Sequence, residues 1–324
     1  MSDRYSRQIV LPEVGTEGQA RLAGASALVV GAGGLGCPVL QYLAAAGVGR
    51  LLIVDADRVE ESNLHRQPLY RMTDLGLEKA RAAQAALGEA NPQVRVEAFV
   101  ERLGPASAGR LIREADLAVD AADSLAATYV MSDECLRSGK PLVSASVLGL
   151  SGYVGAFCGG APSYRAVFPE MPPQAGSCAE AGVLGTAVGV MGALEAHFAL
   201  SLLLGLEPSV LGRLVSIDFR TLRLGGFSFA GAPEPAQPVM AFISESDVRE
   251  SDVVVDLRSL AEAPVSPIPG ALRIGVEPIE RAEARFPAEP RIVLCCRSGV
   301  RAWRAARALQ RQGHENVALI ALGG

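Results

Sequence analysis

A glycine-rich segment, VVGAGGLG, lies between a strand-like run and a helix-like run near the start of the chain. Glycines at such a junction let the chain turn tightly and let phosphate oxygens approach the backbone N–H groups that begin the helix. Asp55 follows the next strand-like run, 24 positions after Gly31, where a carboxylate can hold ribose hydroxyls. One interpretation is therefore a dinucleotide enzyme with a nicotinamide or flavin cofactor. The four glycines of the segment are Gly31, Gly33, Gly34 and Gly36.

Polar and cationic side chains just after Asp55 favour a nucleoside triphosphate instead. A pyrophosphate bridge is satisfied by helix-terminal amides, whereas a triphosphate and its leaving pyrophosphate need cationic clamps and a metal ion. Several donors can converge near the glycine-rich turn, and we predict that they bind phosphate. They are Asn63, Arg66 and Gln67 in the segment DADRVEESNLHRQ, and Lys79 at the next helix start.

A carboxylate for that metal ion is available in the segment DAADS. Asp120 and Asp123 lie there at the carboxyl end of a predicted strand. Parallel sheets bind their ligands at this edge. We therefore expect the segment to face the nucleotide.

A cysteine near the end of the chain is followed by a short loop and a helix, in the run RIVLCCRSGVRAW. Cys296 is predicted to lie at the mouth of a ring of backbone amides from Arg297 to Arg301, which would stabilise a thiolate or an anionic adduct. Cysteine phosphatases use a similar ring but place five residues between cysteine and arginine, whereas four separate Cys296 from Arg301. The shorter ring favours sulfur over phosphate chemistry. Strand alternation turns Cys295 toward the core.

Composition limits the possible functions. The chain has 324 residues, of which 49% are apolar, and a net charge of −5 without a basic block. We therefore expect a folded chain and no nucleic-acid partner. The longest apolar run, Val183 to Leu206, is interrupted by Glu195 and His197, and we interpret it as a buried helix and expect no membrane partner.

The cysteines and the first residues indicate a reducing compartment. The opening residues, MSDRYSRQIV, have no apolar signal-peptide core, so we expect a cytoplasmic protein. No Cys-x-x-Cys pair occurs, so a zinc site is not expected. The six cysteines are Cys37, Cys135, Cys158, Cys178, Cys295 and Cys296.

The elements that must position these residues form two α/β domains. Short apolar strands alternate with helices up to Gly149, which predicts a parallel, doubly wound, Rossmann-like sheet, and the later runs predict an antiparallel extension and a long crossing loop. Three prolines between Ala230 and Val239 mark a linker. We therefore predict a first domain at residues 1–229, a linker at 230–240 and a smaller α/β domain at 241–324.

The motifs of the first domain, taken together and in order, resemble one family. RYSRQ at 4–8, GAGGLG, DADRVEESNLHRQ, Lys79, the Asp-x-x-Asp at 120–123 and SCAEAGVLG at 177–185 are similar to those of adenylyltransferases that activate ubiquitin-like sulfur carriers. These are the molybdopterin-synthase and thiamine-carrier activating enzymes, relatives of ubiquitin-activating enzymes.

The resemblance implies a homodimer with two ATP sites and assigns a role to individual residues. Asp55 would hold the ribose, and Asp123 would bind magnesium. Arg7 would reach into the partner subunit's site, and Cys178 stands where the family carries an acceptor cysteine; on spacing alone Cys178 is a small residue in a flexible loop. The phosphates would be held by Asn63, Arg66 and Lys79.

The chain departs from the family pattern in two places. Ser124 and Thr128 replace the usual Asn and Arg after the second aspartate. Many members bind zinc through two Cys-x-x-Cys pairs, but Ser163 and Ala166 stand at the first pair and no cysteine stands at the second. We therefore expect the zinc to be lost and the crossing loop to be held by packing alone.

The second domain resembles the rhodaneses, which form persulfides. Asp256, Arg258 and Glu262 fall at that family's spacing, while Pro267 replaces the usual histidine. Gly323 and Gly324 copy the tail of a ubiquitin-like carrier, but they also match the Gly-Gly after the last rhodanese strand, which is the interpretation we favour.

Together the resemblances imply MgATP-dependent adenylation of a carrier that ends in Gly-Gly, followed by sulfur transfer from Cys296. The persulfide donor would be a protein such as a cysteine desulfurase. The carrier could serve molybdopterin, thiamine or tRNA thiolation. A nicotinamide oxidoreductase and a non-catalytic scaffold that docks the carrier remain alternatives.

Overall fold

The larger of two sheets has eight strands and the doubly wound order that the alternation predicts. The computed structural model describes residues 3–172, 182–236 and 240–323. The strand order is β3-β2-β1-β4-β5-β6-β7-β8, with parallel pairing from β3 to β5 and antiparallel pairing from β5 to β8. These strands are β1 (Ser26–Val30), β2 (Arg50–Val54), β3 (Arg95–Phe99), β4 (Leu117–Asp120), β5 (Pro141–Leu148), β6 (Ser151–Cys158), β7 (Arg213–Asp218) and β8 (Arg223–Ser228).

Helices connect and cover this sheet. The central strands are almost entirely apolar because both of their faces are buried. Two short helical segments ahead of β1 were not predicted from the sequence. The helices of the first domain are α1 (Ser6–Ile9), α2 (Gly15–Gly24), α3 (Gly36–Ala46), α4 (Lys79–Ala90), α5 (Pro105–Arg113), α6 (Leu125–Ser138), α7 (Tyr164–Val167) and α8 (Gly185–Leu204).

The long apolar run forms the core helix α8. Its length and composition alone would suit a membrane span, but more than half of its apolar window is buried inside the protein. It lies against α3 at very short range, since a Cβ on Gly192 would stand 2.4 Å from Pro38 Cγ and 2.6 Å from Leu35 O. Glu195 is fully buried on this helix, and burial raises the pKa of its carboxyl well above the usual range.

The second sheet has five parallel strands in the order β11-β10-β12-β13-β9. The sequence predicts four of these strands but not the two-residue edge strand β9. Periodicity cannot identify so short a strand. The elements are β9 (Ala241–Phe242), β10 (Val253–Asp256), β11 (Leu272–Arg273), β12 (Ile292–Cys296) and β13 (Val317–Ala321), with helices α9 (Val276–Glu280) and α10 (Val300–Arg311).

The crossing loop after β6 is tied by polar bonds, so the expectation that packing alone holds it is wrong. Ser163 begins α7, and its N–H and hydroxyl donate to the two carboxylate oxygens of Glu234 at 2.7 and 2.5 Å. Arg165 donates to Met240 O at 3.1 Å and to both oxygens of Asp133. Glu234 and Met240 belong to the predicted linker, so that segment is anchored on the first domain near its middle and at its last residue.

We expect Glu234→Gln to lower the melting temperature by roughly 2 °C. The amide can accept from only one of the two Ser163 donors, and losing one charge-assisted bond costs about 1 kcal/mol. The measurement is thermal unfolding beside Glu13→Gln, which changes an exposed glutamate in the same domain. Equal melting temperatures for the two variants would contradict the assignment of this pair as a tie.

Candidate active sites

The glycine-rich turn crosses directly over the end of β4, and two of its glycines have no space for a side chain. Gly31 has φ +94°, and a Cβ there would stand 2.6 Å from Ala121 O. A Cβ on Gly36 would stand 1.9 Å from Gly31 O. A side chain at Gly31 would push the turn away from the end of β4, and one at Gly36 would force the turn itself open.

The other two glycines differ in what faces them. A Cβ on Gly34 would stand 2.7 Å from Val188 Cγ1, so this glycine allows α8 to approach. The nearest described atom to a Cβ on Gly33 would be Gln67 Nε2, at an ordinary 3.7 Å. Gly33 is therefore the glycine that leaves the turn open toward a ligand.

Asp55 connects this turn to the end of β2. Its Oδ2 accepts from Ala32 N at 2.7 Å, and its Oδ1 accepts from Asp57 N at 2.8 Å. Burial is the main cause that raises the pKa of this carboxyl above its usual value, and Lys79 opposes the shift. The carboxylate thus lies at the carboxyl end of a central strand, where the ribose role that we predict for it is geometrically available.

The predicted phosphate donors surround the turn. The side-chain carbons of Arg66 lie 3.7 Å from a Cβ on Gly34, and its Nη1 donates to Ser62 O at 3.0 Å. Lys79 is buried, and its Nζ pairs with Asp57 Oδ2 at 3.0 Å. Asn63 is also buried, but its Oδ1 accepts from Glu60 N, so its first task is to shape the segment that carries Arg66.

The side chain of Gln67 has an unpaired buried oxygen at this site. The side chain is buried beside Gly33, and its Oε1 has no hydrogen-bond partner among the described residues. Buried amides seldom remain unpaired, because an unmade bond costs roughly 1–3 kcal/mol. The amide oxygen is therefore placed to accept from a donor that enters over the turn, as a ribose hydroxyl of ATP would.

The two aspartates of DAADS have different environments. Asp120 is fully buried, and its Oδ2 accepts from Ser144 Oγ at 2.9 Å. Burial raises the pKa of this carboxyl to about 6, against opposing bonds from Thr128 and Ser144. Asp123 is exposed at the same edge of the sheet. Only Asp123 is therefore available to a ligand, and Asp120 belongs to the support beneath it.

Ser124 and Thr128, the departures from the family pattern, both serve the local fold. Ser124 is the N-cap of α6, and its Oγ accepts from Ala127 N at 3.4 Å. Thr128 is buried, donates to Ser124 O at 3.3 Å and acts to lower the pKa of Asp120. No group of three or more His, Cys, Asp or Glu side chains within the described residues could hold a metal ion. Magnesium at Asp123 would therefore take most of its oxygen ligands from the triphosphate.

Arg7 is exposed on a segment whose neighbours are fixed. Gln8 Nε2 donates to Gln19 Oε1 at 2.8 Å and to Ala46 O at 3.1 Å, and Tyr5 OH accepts from Asn91 Nδ2. The guanidinium is thus presented at the surface of the first domain. Its action in a partner subunit stays a prediction. Cys178 lies outside the described residues.

Cys296 ends β12 and is fully buried, and its sulfur faces backbone amides of the loop that follows, close to the ring of amides from Arg297 to Arg301 that the sequence predicts. Its Sγ accepts from Gly299 N at 3.2 Å and from Ala302 N at 3.4 Å. Both amides belong to the loop and first turn of α10, where the helix dipole also favours a negative sulfur. We call residues 296–302 the cradle. It can stabilise a thiolate or persulfide anion.

The residues around the cradle fix its shape. Arg301 pairs with both oxygens of Glu262 and donates to Leu257 O at 3.4 Å. Cys295 faces the other side of the strand, toward Val255 O, and burial raises the pKa of its thiol to about 12. Cys295 is therefore an inert core residue. Gly323 N donates to Arg297 O at 2.8 Å, which favours its interpretation as the end of the rhodanese sheet.

Several residues that join the two domains were not identified from the sequence. Glu170, after α7, bonds Trp303 and Arg307 of α10. The positions are more than 130 apart in the chain, and no local pattern could have paired them.

Fold and sites define a class: an α/β nucleotide-binding enzyme joined to a small domain with a cysteine in an amide cradle. The chain belongs to the ThiF family, whose model matches residues 5–239, and a rhodanese-like domain matches residues 240–324. It is thus an enzyme of the nucleotidyltransferase class with a C-terminal rhodanese-like domain.

Named relatives have the same two-part organisation or the first part alone. The adenylyltransferase and sulfurtransferase MOCS3 of Bos taurus is 41% identical over 322 residues, covering 87% of this chain and 71% of that protein. The sulfur carrier protein adenylyltransferase of Thermus thermophilus is 49% identical over 224 residues, covering 67% and 83% respectively. The solved structure of Escherichia coli MccB with ATP shares the fold, with a TM-score of 0.61, 21% identity and coverage of 71% and 72%.

Proposed function

We propose that this protein uses ATP to adenylate the C-terminal glycine carboxylate of a ubiquitin-like sulfur carrier and then converts that group to a thiocarboxylate. The observation that carries the proposal is one chain that joins an open glycine-rich turn, with the unpaired Gln67 beside it, to the Cys296 cradle. The names of the Bos taurus and Thermus thermophilus relatives support both activities. The molybdopterin-synthase carrier ranks first as substrate, ahead of the thiamine and tRNA-thiolation carriers.

In the first step the carrier carboxylate attacks the α-phosphorus of ATP, and pyrophosphate leaves. Backbone amides of the turn at Gly33 and the side chains of Arg66, Gln67 and Lys79 would bind the phosphate chain, while Asp55 would hold the ribose. Magnesium, when bound at Asp123, would neutralise charge on the departing pyrophosphate. Adenylation is needed because hydroxide is a poor leaving group and adenylate is a good one.

In the second step a persulfide on Cys296 attacks the acyl carbon and AMP leaves. The product is an acyl disulfide between the carrier and Cys296. A thiol then attacks the Cys296 sulfur, which releases the carrier thiocarboxylate and leaves a mixed disulfide. A second thiol of the same dithiol reductant restores Cys296. We propose that this chemistry takes place in the cytoplasm, with a cysteine desulfurase type of protein as persulfide donor.

The test is exchange of labelled pyrophosphate into ATP in the presence of small carriers that end in Gly-Gly. We expect exchange with one carrier of the panel and none when its C-terminal carboxylate is amidated, because attack requires a carboxylate. NAD binding without an ATP requirement would favour an oxidoreductase. Carrier binding with no exchange at any magnesium concentration would favour a docking scaffold.

We also propose that the enzyme is a homodimer in which Arg7 acts in the partner's site. Arg7→Ala and Asp55→Ala chains should each lose exchange, because each lacks one half of the site. Mixing them should restore up to about a quarter of wild-type exchange, since half of the dimers contain one intact site of two. If native mass spectrometry finds the mixed dimer and exchange stays absent, Arg7 does not act across subunits.

A further inference from the structure

The segments that follow the carboxyl ends of strands β4 and β12 meet within one chain. Strand β4 ends at Asp120, just before Asp123 and α6, and strand β12 ends at Cys296. A single hydrophobic cluster contains Val30 and Tyr129 of the first domain together with Cys296 and Trp303 of the second. The two domains therefore share one packed interface, and Cys296 belongs to it.

The cradle itself contacts the helix that follows Asp123. A Cβ on Gly299 would stand 2.7 Å from the Phe242 ring and 3.3 Å from Ala126 Cβ. Ala126 lies in the first turn of α6, three positions after Asp123. The backbone N–H of Gly299 also donates one of the two hydrogen bonds that Cys296 Sγ accepts. The sulfur centre is thus placed beside the nucleotide edge of its own chain.

Side chains on both domains hold this placement. Glu170 accepts from Arg307 Nε at 2.8 Å and from Trp303 Nε1 at 3.4 Å. Trp303 lies against the Tyr129 ring, with the centroids 5.2 Å apart, and the Arg165 guanidinium is 4.7 Å from the Tyr129 centroid. The linker is also bonded to the first domain at Ser163 and Arg165, so only a short length of chain is free between the two domains. A tethered group held in this way reacts at a high effective concentration.

We propose that sulfur transfer takes place in cis: the Cys296 persulfide of one chain attacks the acyl-adenylate bound to the first domain of the same chain, and Glu170 is a positioning residue for that step. The proposal rests on the proposed function. Cys296 is fully buried when the domains are closed, so the donor and the carrier tail reach it when the cradle moves off Ala126. The persulfide then attacks the adenylate of the same chain while the cradle is apart from Ala126.

The chemistry is that of the second step above, now confined to one chain. The persulfide's outer sulfur forms a bond to the acyl carbon as the bond to the AMP oxygen breaks. A dithiol reductant, dithiothreitol in the assay, then releases the thiocarboxylate and is oxidised to its disulfide. No oxidant is consumed.

Mixed dimers decide between transfer in cis and transfer across subunits. An Asp123→Ala chain can carry the persulfide but not adenylate, and a Cys296→Ala chain can adenylate but not carry the persulfide. In cis, their mixture forms less than about 5% of the wild-type thiocarboxylate; transfer across subunits would restore up to about a quarter, which would overturn the proposal. If the protein stays monomeric, lack of recovery again supports transfer in cis.

The complementary mixture joins wild-type chains to Asp123→Ala/Cys296→Ala chains. Transfer in cis keeps thiocarboxylate formation proportional to the wild-type chains, whereas transfer across subunits loses it in every mixed dimer. Pyrophosphate exchange by the Cys296→Ala chain and the sulfur adduct on the Asp123→Ala chain are measured first. Absence of either rejects the proposed function, while recovery by mixing rejects only the cis step.

The positioning role is tested by reversing a charge at the interface. In Glu170→Arg, repulsion from Arg307 should slow thiocarboxylate formation about five-fold, while exchange and sulfur loading of Cys296 stay within about two-fold. Adding Arg307→Glu should restore the rate. Glu280→Arg is the matched control, since Glu280 pairs with Arg304 of the same helix inside the second domain. Unchanged thiocarboxylate formation in Glu170→Arg would overturn the role of Glu170.

Discussion

Asp123→Ala is expected to lower carrier-dependent pyrophosphate exchange by about a hundred-fold or more. Asp123 is an exposed carboxylate just after β4, at the carboxyl edge of the sheet, whereas Asp120 is buried and bonded to Ser144. Removing a group that stabilises transition-state charge typically costs about 100- to 1,000-fold in rate. The measurement is exchange of labelled pyrophosphate at saturating ATP over a range of magnesium concentrations.

Asp120→Asn is the matched comparison for this prediction. Burial raises the pKa of Asp120 to about 6, so burial makes its charged form less stable than in water, although the carboxylate still predominates at pH 7. An amide can still accept from Ser144, and we expect exchange to stay within about ten-fold of wild type. If Asp123→Ala exchanges pyrophosphate normally while Asp120→Asn does not, the assignment of the two aspartates must be reversed.

Cys296→Ala is expected to abolish sulfur transfer from thiosulfate or a persulfide donor and to leave carrier adenylation intact. The thiol is the only group in the cradle that can carry sulfur, because Cys295 on the same strand faces the core. Adenylation depends on side chains of the first domain. Exchange and thiocarboxylate formation are measured on the same preparation, so the two activities are separated directly.

Peptide mass spectrometry after donor treatment should show an increase of about 32 Da, the mass of one sulfur, on the Cys296 peptide. Cys295→Ala is the control, and it should keep the adduct because it removes a buried thiol from the other face of β12. Cys178→Ala should spare adenylation and slow thiocarboxylate release in part. Full sulfur transfer by the Cys296 variant, or an adduct found on Cys178 alone, would reject Cys296 as the donor.

The sequence by itself predicted the elements and motifs that are encoded locally. Alternating apolar strands and helices predicted the parallel sheet and its antiparallel extension. Glycine spacing predicted the tight turn between β1 and α3, and the structure agrees, because Gly31 has a positive φ and Gly36 has no space for a Cβ. Cys295 and Cys296 were predicted to face opposite sides of one strand. Each of these properties depends on residues within a few positions of one another.

Only the tertiary structure decided what distant residues do for one another. It gave Asp120 and Asp123 different environments, because Ser144 on the neighbouring strand bonds Asp120 and not Asp123. It showed that the crossing loop, which we expected packing alone to hold, is tied by the Ser163 bonds to Glu234, 71 positions away. It also buried Cys296 against the first domain. These outcomes depend on which surfaces contact each other when the two domains pack. The local pattern of side chains along the chain does not specify those long-range contacts.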